Sequence, residues 1–360
     1  MTPGFRVVPP VSVPLAADDR ERRLAALRVA RRKGTDWLLA QLNPDGSMGD
    51  PRDGFTIYRA PWTFTAVGET EAAAATCAWI RANLVTPDGR VDGPNRVFDW
   101  WATYRDATLV VGAAMAQQHD LSLGLWPAIR ALRDPGSGLI PQDRLPGGGM
   151  GDVIDLTAGG PGAGFAALAV GDLETARGIA AALRRIRDEQ PEAGRFHFAW
   201  SASRGRLMTA ADPDWDPATM CLDPTLDAPQ YWFLGGISAA FLCRLWQADP
   251  DPATLELARW YLALAMDASD AQLHYPAACK GSWGASLLWQ LTGDPAAEAF
   301  AWRMGDWYLA SQQPEGWWHH IGGSDRAGVI EITLEFVMHL DTLIGALASR
   351  PVRGRSRSGT

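Results

Sequence analysis

The sequence predicts an all-α chain folded as one closed ring of helical hairpins. Three observations carry that expectation: a junction that recurs along the chain, an alternation of two kinds of helix, and a long loop at every second connection.

The junction is an apolar helix end, a Gly or polar residue, and the start of an Ala-rich amphipathic helix. It appears as AVGETEAAAA around Gly68, QHDLSLG around Asp120 and AVGDLETARGIAAAL around Gly171, then as ADPDPATLELA around Asp251 and LTGDPAAEAFA around Asp294. Glycine ends a helix in the left-handed conformation, and Asp accepts hydrogen bonds from the free amides of the next helix. The Pro after Asp251 and Asp294 falls at the first helical position, where a missing N–H costs nothing. The first three junctions lie about fifty residues apart, the length of two helices with their loops, and such a period marks a repeat architecture.

Helices after the junctions are expected at 19–42, 70–84, 121–133, 172–188, 251–267 and 294–312, and helices before them at 59–67, 104–118, 157–170, 228–247, 279–292 and 326–348. The first set carries a charged face (RRLAALRVARRK), whereas the second is small, Gly-rich and apolar nearly all round (LVVGAAMA, YWFLGGISAAFLC). A helix apolar on every side is buried and one with a polar stripe faces water, so the two sets form an inner and an outer ring. One insertion interrupts them: residues 194–210 alternate apolar and polar around Arg204-Gly205 and read as a β-hairpin. Residues 1–17 read as an N-terminal extension, 18–349 as one ring domain and 350–360 as a disordered basic tail.

Near the C-terminus stands Arg303-x-x-x-Trp307-x-x-x-x-Gln312-x-x-x-Gly316-x-Trp318, with a weaker copy in Lys33-Gly34, Trp37-Leu38, Gln41, Asp45-Gly46 and Met48. These residues resemble the QW repeat of the squalene cyclase family. With the helix pattern, the chain resembles the (α/α)6 toroid of terpenoid cyclases, protein prenyltransferases and six-hairpin glycosidases. The resemblance implies a fold rather than a reaction. The cyclases' DxDD acid motif is absent, and no DDxxD motif stands in for it.

Composition narrows the function. With 47% hydrophobic and 21% charged residues the balance is that of a globular chain with a sizeable core. A net charge of −8 and the lack of a basic stripe argue against nucleic acid as a partner. No run approaches the roughly 18 apolar residues of a membrane span. The N-terminus fits neither a secretory signal nor a transit helix, so a cytoplasmic protein is expected. Cys77, Cys221, Cys243 and Cys279 lie far apart without a CxxC pair and read as buried free thiols.

The outer-to-inner loops, 43–58, 85–103, 134–156, 189–227, 268–278 and 313–325, are long and share one face of such a ring. Long loops on a rigid scaffold carry function, and the inner helices' N-termini converge there with partial positive charge. Catalytic candidates are Asp155, Asp223, Asp227, His197 and His274. A carboxyl among tryptophans is desolvated, which raises its pKa and keeps a proton for general acid work. Asp155 and Asp227 could equally cap their inner helices. His197 falls on the strand face opposite Phe196, Phe198 and Trp200, either solvated or in the mouth. An aromatic cup for an apolar substrate, or for a cation over ring faces, is expected from Tyr58, Trp62, Trp101, Tyr104, Tyr231, Trp232, Tyr275, Lys280, Trp283 and Trp318. His119 is placed on the opposite rim and His339 deep in the last helix, both away from the mouth. No metal is expected, because His319-His320 lacks ligand spacing and Asp212 to Asp216 reads as a solvated turn. No cofactor motif appears either.

The expected function is a cyclase, isomerase or lyase of small-molecule, secondary metabolism, acting on an apolar, polyene- or terpenoid-like substrate by protonation. The alternatives are a sugar-processing glycoside hydrolase or epimerase, and a non-catalytic toroid acting as a binding module. Few carboxylates deep among aromatics favours the first; many hydrogen-bonding groups beside a Trp platform favours a sugar. A homodimer stays open.

Overall fold

The computed structural model describes residues 17–51, 55–93, 101–141, 152–155, 160–226, 230–273, 275–320 and 325–349. Outer helices α1 (Ala17–Leu39), α3 (Thr70–Asn83), α5 (His119–Arg130), α7 (Leu173–Asp188), α10 (Pro252–Met266) and α13 (Pro295–Ser311) alternate with inner helices α2 (Ala60–Val67), α4 (Ala102–Met115), α6 (Pro161–Ala169), α9 (Phe233–Ala248), α12 (Cys279–Thr292) and α14 (Arg326–Ala348). Two short helices, α8 (Pro217–Met220) and α11 (Asp270–Leu273), lie in connecting segments. Local chemistry sets the turns. Asp172, Asp251 and Asp294 accept amide hydrogen bonds at the starts of α7, α10 and α13, and Gly68, Gly171 and Gly293 take positive φ at the ends of α2, α6 and α12.

The inner helices pack in chain order, α2 on α4, α4 on α6, α6 on α9, α9 on α12 and α12 on α14, and α14 packs back on α2 to close the ring. Each outer helix covers its inner partner, and α1 lies on both α13 and α14. This is the (α/α)6 toroid. Glycines set the closest approach within it. A Cβ on Gly236 would stand 2.3 Å from the Lys280 carbonyl oxygen, and one on Gly284 would stand 2.4 Å from the Gly236 carbonyl oxygen. Larger residues would push α9 and α12 apart and displace the start of α12.

The QW residues join the last hairpin to the first. Gln312 Nε2 donates to the Ala30 carbonyl at 2.8 Å and the Gly316 carbonyl at 2.9 Å. Trp318 is buried against Tyr308 and Phe336, and its Nε1 donates to the Tyr308 carbonyl at 3.1 Å. Three turns share one geometry that their sequences announce: in Asn43-Pro-Asp-Gly46, Thr86-Pro-Asp-Gly89 and Gln313-Pro-Glu-Gly316 the last amide bonds the first carbonyl and the glycine has positive φ.

Between α7 and α9 the insertion holds more than one hairpin. β3 (Ala199–Ser201) and β4 (Arg206–Leu207) pair around Arg204-Gly205, as expected, and β1 (Val153–Asp155) joins β3 antiparallel. β2 (Phe196–His197) pairs instead with β5 (Cys221–Leu222). The chain changes sheets at Phe198, so no single alternation runs through the segment and Phe196 to Ser201 are buried on both faces.

The four cysteines are buried and free. Among the described residues no helix is long and apolar enough to cross a membrane.

The seam predicts unequal roles for adjacent tryptophans. Trp318→Ala should lower stability by about 3–5 kcal/mol in urea unfolding, whereas the half-buried Trp317→Ala should lower it by less than about 1 kcal/mol. Equal losses would refute a locking role for Trp318.

Candidate active site

Charge stands in the centre of this apolar ring. On α14, Glu331, Glu335 and His339 recur every fourth residue, which stacks them on one face of the helix. Opposite them lie Tyr58 and Arg59 just before α2, Tyr104 in the first turn of α4, and Cys279 and Lys280 opening α12. The members from α2, α4 and α12 stand at the N-terminal ends of those helices, the face at which the long loops arrive, while Glu335 and His339 lie at the middle of α14. Arg59, Lys280, Glu335 and His339 are each at most 3% exposed.

Arg59 bridges the two carboxylates. Its Nη1 donates to Glu331 Oε1, and its Nη2 lies 3.0 Å from Glu335 Oε2. Tyr58 OH donates to Glu331 Oε1 at 2.7 Å, and Tyr104 OH reaches Glu335 Oε1 at 3.4 Å. Lys280 Nζ pairs with Glu335 Oε1 and lies 5.5 Å from the Tyr104 ring centre and 5.1 Å from that of Phe233. His339 Nε2 faces Glu335 Oε1 at a long 3.4 Å, and its Nδ1 has no hydrogen-bond partner among the described residues. At the outer edge, the part-exposed His320 stands 3.8 Å from Glu331 Oε2.

These contacts set the protonation states. Burial alone would raise the Glu335 carboxyl, but Arg59 and Lys280 outweigh it and hold the group well below its usual 4.5. Burial would strip Lys280 of its proton, and Glu335 reverses that, keeping the ammonium charged. Burial wins at His339, which lies below its usual 6.5 despite Glu335, and at His320. The centre thus combines fixed cations, a fixed carboxylate and a neutral imidazole.

Cys279, Glu335 and His339 offer ligand atoms within 4.8 Å of one another. Burial holds the Cys279 thiol protonated, and Arg59 and Lys280 already neutralise Glu335. A metal cation would have to displace one of those charges, so the set fits acid/base chemistry better than metal binding. Beside His339 stands an aromatic wall. Trp283 lies 4.8 Å from its ring, stacks on Phe165 at 4.3 Å and meets Trp62 edge-on at 5.4 Å.

Of the residues singled out in the sequence, Tyr58, Tyr104 and Lys280 enter the charged cluster, and Trp62 and Trp283 form the wall. Tyr275 stacks on Phe233, next to Lys280. Tyr231 packs between Phe198 and Phe233. Trp232 is buried, its Nε1 without a partner among the described residues. Trp101 is half-buried before α4 with φ 52. Trp318 belongs to the seam. His197 is neither solvated nor in the mouth: it is buried within the insertion, with Nδ1 2.8 Å from the Met208 carbonyl and Nε2 2.9 Å from Glu192. Asp223 is not a protonated acid. Burial pushes it up, but Thr225 and Arg195 bring it below its usual 3.8. Asp155 lies in β1 and does not cap α6, whose N-cap is Gly160. Asp227 and His274 fall outside the described residues.

Arg59, Glu331 and Glu335 were missed, and His339 was set aside as remote. Their signal was present: two carboxylates and a histidine at four-residue spacing in RAGVIEITLEFVMHLD, a helix otherwise apolar all round.

No protein-family model and no curated protein matches the sequence. Solved structures match its fold. A D-mannose isomerase aligns over 94% of this chain and 99% of its own, at 14% identity and TM-score 0.65. A type II terpene cyclase from Scytonema aligns over 89% and 99%, at 15% and 0.57. An unsaturated glucuronyl hydrolase specific for heparin aligns over 91% and 97%, at 10% and 0.59. All are α/α toroids, and at these identities the likeness establishes the fold alone.

Two outcomes follow from the cluster. Lys280→Met leaves Glu335 undercompensated and should destabilise the protein by about 3–5 kcal/mol in urea unfolding; no change would show that the pair contributes nothing. The second concerns pH. His339 is depressed in the folded state, so the unfolded chain binds more protons as pH falls through 6.5 and stability drops with it. Glu335 adds the same trend only below 4.5. Melting temperature should therefore fall between pH 7.5 and 5.5, and His339→Gln should reduce that slope to the part that His320, depressed in the same way, contributes. An unchanged slope would remove His339 from the account.

Proposed function

We propose that this protein is an acid/base enzyme acting on a polar, hydroxylated small molecule, and that its reaction is a sugar isomerisation or epimerisation by proton transfer at carbon. One observation carries the reading: a buried His339, held neutral by its burial, has Nε2 facing Glu335 and an unbonded Nδ1 beside cations fixed on that same carboxylate. That combination suits removal of a proton from the carbon next to a carbonyl. The C–H bond breaks, its electrons form the C=C of an enediolate, and His339 holds the proton. Arg59, Lys280 and the hydroxyls of Tyr58 and Tyr104 supply donors for the oxygen that gains charge, a stabilisation that needs no reorganisation in a dry site. Return of the proton to the neighbouring carbon, with the hydroxyl proton passing from one enediolate oxygen to the other, completes an isomerisation; its return to the same carbon after the intermediate has turned its other face to His339 completes an epimerisation. The part-buried Trp62 ring offers a platform for a sugar face, and Trp283, buried between Phe165 and His339, backs it.

The number of hydrogen-bonding groups beside that platform favours a sugar over a polyene. A D-mannose isomerase among the fold neighbours supports the same reading. Cyclisation of an apolar substrate is the second reading, favoured by the wall of Trp62, Phe165 and Trp283. Glu335, held ionised by Arg59 and Lys280, does not serve as its acid.

Incubating the protein with a panel of aldoses and ketoses in D2O, and following carbon-bound hydrogen by NMR, should reveal exchange or interconversion. His339→Gln should reduce it by at least about 100-fold, within the range of a general base, and Arg59→Met comparably. Turnover of isoprenoid polyenes with no effect on any sugar would overturn the reading in favour of the cyclase.

A further inference from the structure

The charges of the site also bear on which sugars it accepts. Resting on the sugar reading above, we propose that the substrate is uncharged: a free neutral sugar rather than a sugar phosphate or uronate.

Both cations of the cluster are already engaged by carboxylates. Arg59 bridges Glu331 and Glu335, and Lys280 is paired with Glu335. Two positive groups thus face two negative ones. The next buried cation, Arg105, is held by Asp106, with Nη2 2.6 Å from Oδ1. The remaining acid nearby, Asp325, caps α14 by accepting from Gly328 N at 2.9 Å. Among the described residues, every guanidinium and ammonium at this centre has a carboxylate of its own.

A phosphate or carboxylate entering the centre would add a full negative charge beside Glu331 and Glu335, whereas an enediolate oxygen arises together with the imidazolium of His339 and leaves the net charge unchanged. Among the described residues no cation at this centre lacks a carboxylate, so none is left over for the added charge. Burying an unpaired charge is strongly unfavourable. Hydroxyl groups face no such penalty. Each both donates and accepts, so a sugar can donate to Glu331 or Glu335 and accept from Arg59, Lys280 or Tyr58 without changing the charge of the site. Arg59 Nε and His339 Nδ1, both buried and without a hydrogen-bond partner among the described residues, lie within this group and can take hydroxyl partners. The same arrangement identifies Glu331 as the residue that excludes anions. It engages Arg59 on the side nearer the part-exposed His320, and neutralising it would leave one cation in excess.

The test is binding to the intact protein by saturation-transfer NMR titration. The probes are D-glucose and D-mannose, compared with glucose 6-phosphate and glucuronate, for the wild type and Glu331→Gln. The wild type should bind a neutral sugar at least about 10-fold more tightly than either anion, and Glu331→Gln should narrow or invert that ratio by about 10-fold. If the variant does not fold, the wild-type ratio alone decides. Anions binding as tightly as neutral sugars would overturn the proposal while leaving a sugar enzyme standing. Binding of none of the four would overturn the sugar reading, and this proposal with it.

Discussion

Everything in this molecule depends on the fit of α14 between α12 and α2. It is the last inner helix, it closes the ring, and its inner stripe supplies the two glutamates and the histidine of the candidate site. Arg59 and Glu331, 272 residues apart, meet only because that closure succeeds. The cost of bringing distant segments together grows slowly with length, about 0.6 kcal/mol per doubling, so the difficulty lies in holding the register. Apolar packing of Trp318, Tyr308 and Phe336, and the hydrogen bonds of Gln312, hold it. The ion pairs do not, because taking such charges out of water offsets most of their attraction. The seam positions the charges rather than the reverse.

This ordering explains why the cluster reads as functional. A ring needing only stability would place leucine or methionine where Arg59, Lys280 and Glu335 stand, at no loss and with fewer demands on geometry. Two of these deep polar residues, Arg59 at Nε and His339 at Nδ1, keep nitrogens without a hydrogen-bond partner among the described residues, which sets the cluster apart from plain core. Charge compensation sets the protonation states: Glu335 stays ionised, Lys280 stays protonated, and His339 stays neutral. Each is driven against burial by its neighbours or, for His339, left to burial.

Solved toroids that match this chain's fold include an isomerase, a cyclase and a hydrolase. One frame carries all three because the ring supplies only a rigid wall and a converging set of helix ends, while the lining sets the reaction. Here the lining is mixed, with a charged half on α14, α2, α4 and α12 and an aromatic half from Trp62, Phe165 and Trp283. The β insertion stands apart from both. Its polar residues, among them His197, Asp212 and Asp223, are engaged with one another.

The amino-acid sequence by itself determined the helices, their alternation and the turns between them, because these follow from hydrophobic period, Asp caps and Gly stops that act over a few residues. It also made Tyr58, Tyr104 and Lys280 legible, since polar groups at the mouths of buried helices have few other uses. It could not separate Trp318, a seam residue, from Trp283, a wall residue, since both are tryptophans near a loop. Nor could it tell that Asp223 is neutralised by Arg195, or that His339 faces Glu335 and two cations rather than plain core. Those distinctions rest on which side chains meet across the closed ring. Protonation and charge balance are properties of that encounter, and only the tertiary structure decided them.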